Sequence, residues 1–471
     1  MRALLVLLPL LLAAAGSTQQ TAEKILAEAG AGTRIGLVVV DDQGREIVAV
    51  RPEDRFVPAS NTKMFTTAAA FTLLDTSAPD QAGGASVRLE GRDVILSGHG
   101  DARLSSAPDC TSDCLLELAR KVAERTRVVR DVVGDDSAFP DERWPAGMSW
   151  NNMVTQYGTA ISALTLDDNV TMLAVTPGKP GAPPVIDGDG YYRIDNRALS
   201  VPAGKTDLTA TRTPGSDVLR ITGTIAAGTA PTAIRVGVDD PAHRAAWRFA
   251  ALLRAEGVRV TGRIEARHRP LSLADDPESR GGAPAPRAPE PPALARLVPP
   301  PLADDIRITN KVSQNLHAEL LLRRAGSVSG SGSVADGRAA VIAMLDRAGL
   351  ARSDYDFADG SGMSNYNRVT PRATVRFLRW TQMQPWGAAW RATLPVAGED
   401  GTLARRFAGT PLAGKLFAKT GSLNASNALS GFFVAASGRI FTFSALANDT
   451  PQDASATAIV DRALLAIAAA N

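Results

Sequence analysis

The pattern of apolar and polar positions changes several times along the chain and divides it into regions. Near the amino-terminal end, residues 21–29 have a helical pattern, and strand-like apolar runs at 34–40 and 45–50 flank the turn residues 41–44. Two such runs around a short polar turn predict a β-hairpin. A helical pattern follows from Ser60, so the hairpin is expected to lead directly to the start of a helix.

The middle of the chain has a different texture. From Ala85 to about Gly262, short β-rich segments alternate with turns of glycine, proline and aspartate, and amphipathic helical patterns occur at 114–126 and 242–256. Residues 269–301 are rich in proline and glycine, which excludes a continuous helix there. Beyond them helical patterns return, followed by three strand-like runs and a final helical pattern at 452–470.

This order predicts one domain interrupted by a large insertion. We expect residues 20–80 and 302–471 to form the main domain, with an inserted, mainly β region at 81–268 and a proline-rich linker or loop at 269–301. The length of the insertion gives room for one or two subdomains with their own cores.

The first residues have the pattern of a secretory signal peptide, which we place at 1–15. Met1-Arg2 is a short positive start, Ala3–Ala15 is apolar, and Ala13-Ala14-Ala15 offers a small-residue cleavage site. The alternative is an uncleaved membrane anchor, but the apolar run is short for a bilayer span. The sequence therefore predicts an exported protein, located in the periplasm or at the outer face of the cytoplasmic membrane and cell wall.

Cys110 and Cys114 are the two cysteines of the chain. In an exported protein such a close pair predicts a disulfide that closes a small loop. The alternative, a redox or metal pair, needs more ligands than the neighbouring sequence offers.

Composition excludes several classes of function. The formal net charge is +2 with both signs mixed along the chain, so no basic stripe predicts nucleic-acid binding. The four histidines have no metal-ligand spacing to one another or to the cysteines. We therefore expect no metal and no cofactor. Nothing local predicts a serine–histidine–aspartate triad either.

Three short patterns carry candidate chemistry, and they occur in a fixed order. The first is Ser60-x-x-Lys63, the second Ser313-x-Asn315, and the third Lys419-Thr420-Gly421, which Ser422 follows. Ser60 and Lys63 are three residues apart, so on a helix they share a face, and a desolvated lysine can be the base for a serine nucleophile.

The remaining positions suit the other tasks of acyl transfer. The Ser313 hydroxyl can relay a proton to the leaving amine, and Asn315 can bind a substrate amide. Lys419 and Thr420 suit a substrate carboxylate, and Gly421 permits close approach on a strand. The N–H groups of Ser60 and Ser422 are candidates for an oxyanion site.

Each pattern also has a structural alternative. Ser60 and Ser313 could simply cap helices, and Lys63 and Lys419 could be surface lysines. Ser149-Trp150-Asn151 and Ser422-Leu423-Asn424 also fit Ser-x-Asn. We prefer Ser313 because its pattern is expected to open a helix in the returning main domain.

With these motifs in place, nearly the whole chain resembles the low-molecular-mass class C penicillin-binding proteins of the D-alanyl-D-alanine carboxypeptidase/endopeptidase type. Further motifs that carry this resemblance are Asn310–Glu319, Asp359–Ser364, Gly398–Leu403 and Ala428–Gly431. One departure is Asn365-Tyr366, where relatives often place an arginine first; it leaves the local contacts of that loop open.

The resemblance implies an α/β (α+β) fold: a transpeptidase/β-lactamase-like core with an antiparallel sheet between helix layers, plus a large mainly β insertion. It implies a serine-type hydrolase that cleaves D-Ala-D-Ala on peptidoglycan stem peptides, with cross-link cleavage as a further activity, and that β-lactams acylate at Ser60. The alternatives are a serine β-lactamase or esterase on the same core, and a non-enzymatic peptidoglycan-binding protein. The oligomeric state stays open.

Overall fold

A computed structural model describes residues 18–471, so the expected signal peptide at 1–15 lies outside the described residues. The chain forms two compact units. The first contains the described residues up to Leu74 together with Ala303–Ala325 and Gly337–Asn471, and the second contains Asp75–Leu302 and Gly326–Asp336.

The described helices and strands are numbered in chain order. The helices are α1 (residues 18–26), α2 (Thr62–Leu73), α3 (Leu115–Arg125), α4 (Pro241–Ala255), α5 (Pro277–Arg280), α6 (Leu302–Lys311), α7 (Asn315–Ser327), α8 (Val334–Arg347), α9 (Pro371–Gln382), α10 (Gly387–Ala392) and α11 (Ala456–Ala470). The strands are β1 (Arg34–Val40), β2 (Glu46–Val50), β3 (Ser86–Glu90), β4 (Asp93–Ser97), β5 (Val128–Val129), β6 (Val132–Pro140), β7 (Val170–Thr176), β8 (Val185–Asp187), β9 (Arg193–Asn196), β10 (Leu199–Val201), β11 (Asp207–Thr211), β12 (Val218–Ala226), β13 (Thr232–Gly237), β14 (Arg259–Val260), β15 (Ile264–Arg269), β16 (Ala295–Arg296), β17 (Tyr355–Asp356), β18 (Arg368–Val369), β19 (Leu416–Leu423), β20 (Ser426–Val434) and β21 (Ile440–Asn448).

The first unit is built on a five-stranded sheet in the order β19-β20-β21-β1-β2. Every neighbouring pair in it is antiparallel. The expected hairpin at 34–50 is therefore present, and its first strand pairs with the last strand of the chain. This pairing brings an early and a late segment of the described residues into one sheet.

Helices pack on both faces of this sheet because side chains alternate along each strand. Leu37 and Val39 of β1 belong to a core cluster that also contains residues of α1 and α11, such as Leu26 and Leu464. Val38, between them, packs with Val375 of α9 on the other face. The predicted antiparallel sheet between helix layers is confirmed.

The second unit is mainly β, as expected for the insertion. A five-stranded sheet in the order β15-β6-β4-β3-β16 shares a core cluster with α3 and α4. A three-stranded sheet (β13-β7-β8) and a four-stranded sheet (β10-β12-β11, with β9 on β12) contribute to another core cluster. The predicted mixed α and β architecture with a β-rich insertion is confirmed.

Two local expectations in this unit can be followed. Cys110 and Cys114 form a disulfide, as their spacing predicted. The proline-rich segment 269–301 contains no long helix, but it is not featureless. It includes the four-residue helix α5 and the strand β16, which pairs antiparallel with β3.

Candidate active site

The site starts where the chain leaves the first hairpin. Residues Ala59–Asn61 form a 3₁₀ turn, and α2 begins immediately after it at Thr62. Ala59 has a positive φ of 47°, an uncommon conformation for a residue with a Cβ atom. The short turn and the helix put Lys63 Nζ 2.9 Å from Ser60 Oγ, as the three-residue spacing predicted.

Lys63 is a buried cation with three polar partners. Its side chain is 0% exposed, so it is not a surface lysine. Besides the Ser60 hydroxyl, Nζ contacts two acceptors, Asn315 Oδ1 at 2.6 Å and the Ser361 carbonyl oxygen at 2.6 Å. Burial lowers the pKa of Lys63 to about 7, and the nearby carboxylates of Asp359 and Glu319 act in the opposite direction.

Ser313 and Asn315 lie at the junction of two helices. α6 ends at Lys311 and α7 begins at Asn315, so Ser313 is in the connection and does not itself open the helix. Its φ is +64°, a left-handed conformation that a helical position could not have. The turn separates the two side chains: Asn315 contacts Lys63, whereas Ser313 Oγ accepts a hydrogen bond from Lys419 Nζ at 2.9 Å.

Lys419 comes from the sheet and is as buried as Lys63. It lies on β19, is 0% exposed, and also donates to the Thr420 carbonyl oxygen at 3.0 Å. Its own carbonyl oxygen accepts from Asn61 Nδ2 at 2.8 Å, which ties β19 to the Ser60 turn. Burial, and after it the charge of Lys63, hold the pKa of Lys419 well below its usual range.

Thr420, Gly421 and Ser422 continue β19 along the edge of the sheet. At these positions β19 pairs with β20 alone among the described strands. A Cβ atom at Gly421 would lie 2.6 Å from the Pro58 carbonyl oxygen and 3.1 Å from Ser60 N. Glycine is therefore what allows the strand to approach the turn that carries Ser60.

The structure thus forms two hydrogen-bonded sets, Lys63 with Ser60 and Asn315, and Lys419 with Ser313. The two lysines are close enough for the charge of Lys63 to lower the pKa of Lys419. Of the competing Ser-x-Asn patterns, Ser422 and Asn424 lie at the end of β19 and in the turn that follows it, and Ser149–Asn151 lies in the second unit. Neither pattern joins the hydrogen bonds of Lys63 that the structure gives.

Sequence reasoning missed several members of the site. The second acceptor for Lys63 is a backbone carbonyl, at Ser361, and no residue type identifies such a group in advance. Glu319 and Asp359 were noted as parts of motifs, but no role was assigned to them. The signal that could have found Glu319 is its spacing of four residues from Asn315, which puts both side chains on one face of α7.

No group of three or more His, Cys, Asp and Glu side chains between residues 18 and 471 could hold a metal ion. Within the same range, no helix has both the length and the apolar character needed to cross a membrane.

An antiparallel sheet between helices, with a serine–lysine pair at a helix start and a lysine on the edge strand, defines an enzyme of the transpeptidase/β-lactamase-like class. Residues 18–470 match the D-Ala-D-Ala carboxypeptidase 3 (S13) family. The chain belongs to this family, which confirms the resemblance found in the sequence and the predicted enzyme class.

Individual relatives agree with the family. The chain is 34% identical to the D-alanyl-D-alanine carboxypeptidase of Actinomadura sp. (strain R39) over 433 residues, which cover 85% of this chain and 75% of the relative. The solved structure of penicillin binding protein 4 (dacB) from Haemophilus influenzae is similar, with a TM-score of 0.79, 21% identity, and coverage of 95% of this chain and 97% of that one. A second structure of that protein, complexed with a β-lactam, matches with a TM-score of 0.74, 20% identity, and coverage of 94% and 97%.

Proposed function

We propose that this protein is a serine D-Ala-D-Ala carboxypeptidase that acts on peptidoglycan stem peptides through an acyl-enzyme on Ser60. One observation carries the proposal. Lys63 Nζ, buried and lowered in pKa to about 7, lies 2.9 Å from the Ser60 hydroxyl. Family membership supports the same reaction and the same substrate class.

The acylation step follows from the hydrogen bonds of Lys63. A neutral amine has two N–H groups and one lone pair. Asn315 Oδ1 and the Ser361 carbonyl oxygen can take the two N–H groups, which leaves the lone pair for the Ser60 hydroxyl. Lys63 removes that proton while Ser60 Oγ attacks the carbonyl carbon of the penultimate D-alanine.

Charge then develops on the substrate carbonyl oxygen. We assign its stabilisation to the N–H groups of Ser60 and Ser422, because preorganised backbone donors stabilise a developing oxyanion effectively. Breaking the C–N bond requires a proton on the leaving amine of the terminal D-alanine. Ser313 supplies it from its hydroxyl and takes a proton in turn from Lys419, whose Nζ lies 2.9 Å from Ser313 Oγ. The proton that Lys63 removed from Ser60 is passed on to Lys419, so both lysines regain their starting protonation states before deacylation. Water finally hydrolyses the ester on Ser60.

Substrate binding is assigned to the edge of β19 and to Asn315. The substrate carboxylate accepts from the Thr420 hydroxyl. Lys419 is 0% exposed, so it acts on that carboxylate through its charge and not by direct contact. The bound carboxylate favours the protonated form of Lys419, which burial and Lys63 disfavour in the free enzyme. The Asn315 side-chain amide donates to a substrate carbonyl, and Gly421 lets β19 lie close to the turn that carries Ser60.

Further parts of the proposal follow from the family and from the amino-terminal sequence. We infer that β-lactams acylate Ser60, that cross-link cleavage is a second activity of the same site, and that the protein is exported by the signal peptide at 1–15. Export would place the enzyme next to peptidoglycan.

The test uses purified protein with a fluorescent penicillin and with a pentapeptide that ends in D-Ala-D-Ala. We expect one covalent adduct, located on the Ser60 peptide by mass spectrometry, and release of D-alanine from the pentapeptide. The variant Ser60→Ala should give neither. A wild-type protein that forms no adduct and releases no D-alanine would exclude the proposed function, and rapid repeated turnover of penicillin would favour a β-lactamase.

A further inference from the structure

Two buried carboxyl groups lie behind Lys63, and the acyl-transfer mechanism above gives them no task. Glu319, on α7, and Asp359, in the loop before β18, are each 1% exposed. Buried carboxylates are costly unless hydrogen bonds and charges compensate them, so their presence needs a reason. Both belong to the first unit, as does Lys63.

Both carboxylate oxygens of Glu319 accept hydrogen bonds within the first unit. Oε1 accepts from the N–H groups of Gly360 at 3.0 Å and Ser361 at 2.9 Å. Oε2 accepts from Arg323 Nη1 at 2.9 Å, one helical turn further along α7. Glu319 therefore connects a rigid helix to two successive peptide units of the loop.

Asp359 is part of the same loop and accepts hydrogen bonds from other residues of that loop. Oδ1 accepts from Gly362 N at 2.9 Å and from Asn367 Nδ2 at 2.6 Å, and Oδ2 accepts from Ser364 N at 2.7 Å. The peptide unit between Ser361 and Gly362 is thus held at its N–H by Asp359. Its carbonyl oxygen is the one that contacts Lys63 Nζ at 2.6 Å.

The loop that contains Ser361 is closely packed at Gly362. Gly362 has a φ of +85°, and a Cβ atom there would lie 1.9 Å from the Ala59 carbonyl oxygen and 3.0 Å from Ser60 N. The loop therefore packs directly against the turn that carries the nucleophile. A shift of the Ser361 carbonyl would displace an acceptor that directs the lone pair of Lys63.

We propose that Glu319 and Asp359 are positioning residues for acylation, which hold the Ser361 carbonyl so that the lone pair of Lys63 points at Ser60. The proposal rests on the proposed function, because it concerns the base of that reaction. One helix carries two of the parts: Asn315, which contacts Lys63 directly, and Glu319, which acts through the loop, are four residues apart on α7.

The charges around Lys63 give the proposal a separate signature. Glu319 and Asp359 face it as carboxyl groups, Arg323 is paired with Glu319, and Lys419 is the second buried cation near it. The two carboxylates raise the pKa of Lys63 against the effect of its burial. Burial, and after it the charge of Glu319, raise the pKa of Asp359 to about 6, so Asp359 is mostly ionised at pH 7. Replacing either carboxylate by its amide therefore removes a negative charge near pH 7, and the pKa of Lys63 should fall.

The experiment measures the second-order rate constant of penicillin acylation between pH 5 and 9 for wild type, Glu319→Gln and Asp359→Asn. At high pH, where Lys63 is neutral, this rate constant reaches a plateau. We expect the plateau value to fall on the order of 10-fold or more in both variants, because the base is no longer aligned. The acid limb is the pH range in which the rate constant rises as Lys63 loses its proton. We expect it to move to lower pH by about one unit in both variants, because a negative charge has been lost. A purely structural role would lower thermal stability and leave the plateau of the folded variant unchanged, because loss of the charge alone moves only the limb.

Two further variants keep the test decisive. Asp41→Asn is the matched control, since Asp41 is also a buried carboxylate that holds a loop, with Gln43 N and Arg45 N as donors, and it contacts no site residue. It should leave both plateau and limb unchanged. Thr66→Val removes a contact of 2.7 Å to the Gly360 carbonyl oxygen and no charge, so it should lower the plateau without moving the limb, and it serves if the amide variants do not fold.

The outcomes separate the two proposals. A wild type that is not acylated at Ser60 excludes the proposed function, and the positioning role falls with it. Normal acylation of wild type, with a wild-type plateau in folded Glu319→Gln and Asp359→Asn, overturns the positioning role alone, whether or not the limb moves. So does a wild-type plateau in Thr66→Val if the amide variants do not fold.

Discussion

At the scale of single residues, the protonation state of Lys63 decides when Ser60 can react. The pKa of Lys63 is lowered from 10.5 to about 7, chiefly by burial. A lysine acts as a base only when it is neutral, so the active fraction is small below this pKa and large above it. We predict that penicillin acylation by wild type rises with pH and levels off above about pH 7.

The check is the pH dependence of the acylation rate constant, with penicillin stability measured in parallel. Lys63→Ala should slow acylation by roughly 10²–10⁴-fold, the usual contribution of a general base, and should abolish the limb near pH 7. A Lys63→Ala variant that keeps the wild-type limb would assign the base to another group.

Thr420 and Lys419 provide a second prediction at this scale. The Thr420 hydroxyl, on the edge strand β19, is hydrogen-bonded to Thr402 Oγ1 at 2.7 Å. Lys419, the preceding residue, is 0% exposed, so a substrate would contact Thr420 and not Lys419. Thr420→Val should therefore lower kcat/KM for carboxylate-bearing substrates about 10-fold or more, because one charge-assisted hydrogen bond is lost. Matched neutral esters should be much less affected. Lys419→Ala should show the same selectivity and a further loss on both substrates, because its ammonium also contacts Ser313.

Steady-state kinetics on a peptide and its carboxyl ester would measure this selectivity. Equal losses on the two substrates in Thr420→Val would contradict the assigned carboxylate site. Equal losses in Lys419→Ala would leave only the contact with Ser313 as its role.

The sequence identified the polar side chains of the site because each belongs to a short pattern whose chemistry is specific. Lys63 is hydrogen-bonded to Ser60 and Asn315, and Lys419 is hydrogen-bonded to Ser313. The Ser361 carbonyl could not be predicted, because any residue has a carbonyl oxygen and only the fold decides which one is near the lysine. The same holds for the N–H groups that Glu319 binds.

At the scale of elements, the site depends on how closely β19 approaches the turn before α2. Gly421 makes this approach possible, since a Cβ atom there would lie 2.6 Å from the Pro58 carbonyl oxygen and 3.1 Å from both Ser60 N and the Ala428 side chain. Backbone at this distance cannot give way cheaply. We predict that Gly421→Ala lowers the acylation rate on the order of 10-fold or more by moving the strand edge.

Penicillin acylation and thermal melting of Gly421→Ala would test this. The control is Gly282→Ala, because a Cβ atom at Gly282 meets nothing within 4 Å, and it should behave as wild type. Wild-type acylation by Gly421→Ala would show that the strand does not need this contact distance.

Helices and strands with a clear apolar and polar pattern could be predicted from the sequence. Segments whose conformation depends on contacts with distant residues could not be predicted as well. The hairpin at 34–50 was expected from its apolar runs and polar turn, and β1 has the expected bounds, Arg34–Val40. By contrast, the pattern around Ser313 predicted a helix start, whereas a positive φ of 64° places Ser313 between two helices. β16 was hidden in a proline-rich segment because two residues that pair with β3 leave no periodicity to detect.

At the scale of the whole molecule, each unit has its own hydrophobic core. The first unit has a cluster around β1, β21 and α11, and the second has one around β4, β6 and α4. Cores of this kind allow units to unfold in separate transitions. Ser60, Lys63, Ser313 and Lys419 all belong to the first unit, and the disulfide of Cys110 and Cys114 belongs to the second.

This separation predicts that stability of the second unit can be changed without changing the chemistry. The double variant Cys110→Ser/Cys114→Ser removes a disulfide that closes a short loop, and loop-closure entropy gives a loss of about 2 kcal/mol for such a loop. We expect calorimetry to show two transitions in wild type, with one of them lowered in the double variant. Penicillin acylation at 25 °C should be unchanged, because no site residue lies in the second unit. A single transition that moves as a whole, or acylation that falls with the disulfide, would mean that the two units fold and act as one.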